Sequence, residues 1–151
     1  MDKYEVLDQE VYDSGIKVCD YPLEVCEAFC VKLGKEKYIC INSNKDFCKV
    51  KRYWLVQHEL EHLNNNALYT AGSSKAKIRR AEMKANDALI RKLHLDVQVV
   101  ECLKCGLDKW EICQELEILP ELCDHIFNYI VRKGLLTDPK IGKEGNQDAS
   151  L

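Results

Sequence analysis

No run of uncharged residues is longer than the 13 from His62 to Ser74, and that run holds three asparagines. No segment therefore supplies the roughly 20 apolar residues that a membrane-spanning helix needs. The start, Met1-Asp2-Lys3-Tyr4-Glu5-Val6, lacks both a basic stretch and an apolar one, so a secretory leader is not expected. Proline is scarce at three residues and glycine modest at seven, which excludes collagenous and low-complexity compositions. A surplus of charge is missing too. Twenty-two basic against 25 acidic side chains leave a net −3, too little positive charge to grip a phosphate backbone, and direct nucleic-acid binding is not expected.

What remains is a chain of 151 residues, 46% hydrophobic and 31% charged, long enough for a buried core. A single domain over 1–136 is expected, followed by a tail from Thr137 with little to bury that reads as disordered. Nine cysteines are many, but the number is odd and no export signal precedes them, so they read as reduced thiols of a cytoplasmic protein. Cys102, Cys105, Cys113 and Cys123 fall into helical periodicity with Leu103, Ile112, Leu116, Leu122 and Ile126. That pattern fits core packing better than a second metal site or a redox pair, despite the CxxC spacing of the first two. Cys26 and Cys30, four apart, are read the same way.

Two strands are expected, at Gly15–Cys19 and Lys37–Asn42, from their β-branched and aromatic residues. Between them, the spacing of Leu23, Cys26, Ala28, Phe29, Cys30 and Leu33 predicts an amphipathic helix over Pro22–Leu33, stopped by Gly34. A largely enclosed helix follows from Val50 to about Asn64, then an asparagine-rich break and a loop at Ala71–Ser74 ending in an N-cap. The next helix, Lys75 to about Leu93, lies in a basic stretch, with seven Lys/Arg against Glu82 and Asp87 between Ala71 and Lys92. Shorter helices are expected over Val97–Cys105, Lys109–Leu116 and Pro120–Lys133. The rhythm from Lys109 to Leu122 resembles a helix-turn-helix, yet Glu101–Gly134 carries four basic against seven acidic residues, a balance that repels phosphates.

The chemistry concentrates in His58-Glu59-Leu60-Glu61-His62, an HExxH sequence inside a predicted helix. Positions i and i+4 share a helix face, so both imidazoles can address one metal ion with Glu59 alongside. A catalytic zinc site usually takes three protein ligands and leaves the fourth position to water. Glu82, 20 residues beyond His62, can supply the third if its helix returns past the first; Asp87 and His94 are the fallback ligands, and Glu82 as a solvated partner of Arg79 or Lys84 stays open. Asn86, one turn after Glu82, is placed to accept the spare N–H of a ligating imidazole. Tyr69, and after it His94, are candidates to stabilise an oxyanion.

His58-Glu59-Leu60-Glu61-His62, followed by Arg80-Ala81-Glu82-Met83-Lys84-Ala85-Asn86, resembles the paired motifs of the ImmA/IrrE family of small metallopeptidases. The resemblance extends from about Gly15 to Gly134. It implies an α+β, zincin-like domain with a small N-terminal sheet and a mostly helical C-terminal part. It also implies zinc held by His58, His62 and Glu82, with Glu59 as general base. The implied activity is selective endoproteolysis of a protein partner, typically a helix-turn-helix transcriptional repressor encoded on a phage or other mobile element. A different class is weighed beside it: a metal-stabilised regulatory module that binds a repressor without hydrolysing it. The strand Lys37–Asn42, taken as a sheet edge, is expected to receive the extended substrate.

Overall fold

Asp2 starts the chain's first helix by accepting hydrogen bonds from the backbone N–H groups of Tyr4 and Glu5, while Glu5 reaches back to the Asp2 N–H. This reciprocal cap opens α1 (Lys3–Asp13), whose Leu7 and Val11 are buried one turn apart. The computed structural model describes residues 1–134, and the expected disordered tail lies outside the described residues. Three strands follow, β1 (Ile16–Tyr21), β2 (Ala28–Leu33) and β3 (Glu36–Asn42), and then the helices α2 (Lys49–Asn64) and α3 (Lys75–Leu93). The described chain closes with α4 (Leu95–Lys104), α5 (Lys109–Leu116) and α6 (Pro120–Arg132). The class is mixed α+β, with six helices and one three-stranded sheet among the described residues.

The sheet order is β1-β3-β2, with β3 parallel to β1 and antiparallel to β2. Two expectations are corrected here. Lys37–Asn42 is the central strand, so β2 rather than β3 forms the edge away from β1. Pro22–Leu33 is not a helix: residues 22–27 are irregular and Ala28–Leu33 is a strand. The helical spacing of its apolar residues competes with a two-residue hairpin turn at Gly34-Lys35, where Gly34 takes φ +64°, and the hairpin prevails because β3 supplies a full ladder of partners. Register places Ala28 and Cys30 on the same face as Ile41 and Ile39, the face covered by α2, while Phe29 lies opposite Cys40 on the other.

By density of packing the chain divides into two units, Met1–Leu89 and the part beginning at Ile90, with the boundary inside α3. The first unit buries Ile39, Ile41, Leu60, Ala85 and Leu89 almost completely. The second centres on Val99, Ile112, Cys123, Ile126 and Ile130. Cys102, Cys113 and Cys123 pack as small apolar groups, whereas Cys105, at the C-cap of α4, is exposed because the helix ends before the periodicity does. No helix among the described residues is long and apolar enough to cross a membrane.

Candidate metal centre

The C-terminus of α2 builds the site's most constrained residue. Asn66 adopts φ +50°, its N–H donates to the Leu63 carbonyl, and the Ala67 N–H donates to the His62 carbonyl at 2.9 Å. This paired Schellman arrangement turns the chain back over the last helical turn. It leaves the Ala67 carbonyl free to accept from His62 Nδ1 at 2.7 Å. With Nδ1 committed as a donor, Nε2 is left to face Glu82, whose hydrogen bond and charge raise the imidazole against the effect of burial; a metal ion would take Nε2 in place of that proton.

That nitrogen lies 3.1 Å from His58 Nε2. Glu82, on α3, completes a triangle: Oε1 is 2.9 Å from His58 Nε2 and Oε2 is 3.0 Å from His62 Nε2. Among the described residues, these three form the group of metal-ligating side chains whose donor atoms converge. Four-coordinate zinc with ligands at 2.0–2.1 Å holds donor atoms about 3.3 Å apart, so a small outward adjustment of each group admits the ion. A His–His–carboxylate donor set also suits zinc chemically. Asp87 and His94 lie outside the group; His94 belongs to the second unit, as N-cap of α4.

Burial by itself would raise the Glu82 carboxyl, but hydrogen bonds from His58, His62 and Tyr69 overcome it and hold the group well below the usual carboxylate range. Glu82 is thus anionic and aimed. The Tyr69 hydroxyl donates to Oε2 at 2.7 Å, and burial followed by this bond raises the phenol above its ordinary value. Glu59 shifts the other way from Glu82: burial pushes it up, against the pull of His58 and His62. The two carboxylates therefore occupy different electrostatic roles, one fixed as an anion and one disposed to exchange a proton.

The chain matches no known protein family model, no curated protein and no solved structure.

A cavity of about 100 Å³ opens beside the triangle, lined by Ala28, Phe29 and Cys30 of the edge strand and by Glu59, His62, Ala67, Leu68 and Tyr69. A larger one, about 420 Å³, lies between α1, β1 and α2 and has Tyr4, Lys49, Arg52 and Tyr53 in its walls. Volume favours the second, but the convergence of ligands and a shifted carboxyl favours the first. Asn86 is buried on α3; the N–H of His62 goes to the Ala67 carbonyl, because the turn after α2 supplies an acceptor close in sequence. Two participants escape sequence reasoning. Ala67 acts through its backbone, which no side-chain pattern reveals. Cys30 hydrogen-bonds to Glu59, and burial together with that carboxylate lifts its thiol to about 12. Alternation along β2 is the signal that would have placed Cys30 toward α2.

Proposed function

We propose that the chain is a zinc-dependent endopeptidase of the ImmA/IrrE, zincin-like kind, making selective cleavages in a protein substrate. The observation that carries this reading is the convergence of His58, His62 and Glu82 with a half-buried, upshifted Glu59 on the same helix as the two histidines. A site meant only to stabilise the fold has no need of a base beside it.

Zinc, when bound by these three residues, supplies a Lewis acid that polarises a carbonyl and brings water within reach of deprotonation near neutral pH. Glu59 accepts that proton and later delivers it to the departing amide nitrogen. Tyr69, already oriented by Glu82, turns its hydroxyl to the oxyanion that develops on the attacked carbonyl. Cys30 holds one side of the Glu59 carboxylate, which fixes its direction. The free edge of β2 receives the substrate as an added strand, its backbone pairing beside Phe29 and Cys30, and this requires the cleaved segment to be extended and locally unfolded.

The candidate substrate is a helix-turn-helix transcriptional repressor, on the strength of the motif resemblance. Incubation of purified protein with such a repressor, with and without a chelator, tests the reading. Fragments that disappear on zinc removal support it. A stable, uncleaved complex with zinc bound supports the regulatory module instead, and a metal content near zero without chelator removes both.

A further inference from the structure

On the face of the sheet opposite α2, Cys19 of β1 and Cys40 of β3 are directly paired in the parallel register. Their sulfurs are 3.1 Å apart. Neighbouring strands run about 4.8 Å apart, inside the span of Cα separations that a disulfide bridges without moving the backbone. The pair supplies only two of the four donors that a structural zinc takes, and neither cysteine belongs to the converging group of His58, His62 and Glu82, so a disulfide is the chemistry that two facing sulfurs fit. Cys19 is exposed and Cys40 half-buried, so solvent reaches the pair.

The other thiols lack this combination. Cys113 and Cys123 touch but are buried. Cys30 faces Glu59, and Cys26 acts on Cys40 only electrostatically.

We propose that Cys19 and Cys40 form a modification site, a cross-strand dithiol that oxidants of the peroxide class close reversibly to a disulfide. Cys19, the accessible partner, attacks one peroxide oxygen; the O–O bond breaks, water departs and Cys19 carries a sulfenic acid. The Cys40 sulfur then attacks the Cys19 sulfur, the S–O bond breaks, a second water leaves and the S–S bond forms. The two thiols have lost two electrons and two protons, and the peroxide has become two waters. Burial, followed by the hydrogen bond with Cys19, raises the Cys40 thiol to about 12, so the exposed Cys19 is the sulfur that meets peroxide first, and Cys40 gives up its proton as it attacks. The site is independent of the proposed peptidase, since both sulfurs lie on the sheet face away from α2.

The test uses the full-length chain exposed to a few equivalents of hydrogen peroxide, with remaining thiols alkylated. Cys19, Cys26 and Cys30 share one tryptic peptide, so digestion adds cleavage after Glu24 and Glu27 to separate them. The expected result is a Cys19–Cys40 linked peptide that forms at least tenfold faster than any other pairing and reverts with dithiothreitol. Cys19→Ser and Cys40→Ser should each abolish it, and Cys26→Ser should leave its rate unchanged. A dominant link through Cys26, over-oxidised Cys19 beside a free Cys40, or two thiols still open to alkylation would each overturn the proposal.

Discussion

His62 is fixed at both ends of its ring, by the Ala67 carbonyl at Nδ1 and by Glu82 facing Nε2. Glu59, one residue after His58 and outside the ligand triangle, is by contrast free to trade protons. Replacing Glu59 with Gln keeps a hydrogen-bonding side chain but removes the base; the expected outcome is unchanged zinc stoichiometry by elemental analysis and cleavage slowed by about a hundredfold or more. Tyr69→Phe removes one hydrogen bond from Glu82 and the proposed oxyanion donor together. Zinc content should persist, because three ligands remain, while kcat falls by about a hundredfold with little change in KM. An equal loss of zinc and activity would instead make Tyr69 a support for Glu82.

At the level of elements, the turn after α2 and the strand β2, held by its pairing to β3, do most to shape the cleft. Asn66→Val puts a β-branched residue at φ +50°, with an expected loss of about 1–2 kcal/mol in denaturant unfolding and weaker zinc binding; Asn66→Gly should cost little. Asn42, buried at the end of β3, accepts from the N–H groups of Leu23 and Asn44 and donates to the Cys26 carbonyl, which pins the irregular segment leading into β2. Asn42→Leu should destabilise by about 3 kcal/mol in the same measurement, since it strands buried backbone groups. The HExxH helix was legible from its apolar spacing and motif although Cys48 gives it no side-chain cap, whereas α3 and α5 add the caps of Ser74 and Asp108 to their periodicity. β2 was not, because its residues satisfy two periods at once and only pairing with β3 decides between them. α1 was overlooked although Asp2 and Glu5 carry its capping signal.

For the whole molecule, binding of a metal ion by His58, His62 and Glu82 would be linked to folding. All three ligands belong to the unit Met1–Leu89, so an ion bound there stabilises that unit by about 2.7 kcal/mol when free zinc is a hundred times its dissociation constant. Hydrogen exchange should slow in α2 and the first turns of α3 on adding zinc, and chelation should reverse the change. Protection unchanged in both helices would show that these side chains do not hold the ion in solution. The ligand set itself was readable in part: His58 and His62 share one helix, while Glu82 depended on how α3 returns, which is a tertiary fact.

The order β1-β3-β2 has a consequence for a chain emerging from the ribosome. β1 has no neighbour to bond until the hairpin of β2 and β3 has appeared, so the sheet cannot close before Asn42 is synthesised. Glu82 arrives 40 positions later still, on the far side of the turn that orients His62. The group of three donors therefore cannot exist until 40 residues after the sheet's last strand, and the proposed hydrolysis would have to wait for it during translation.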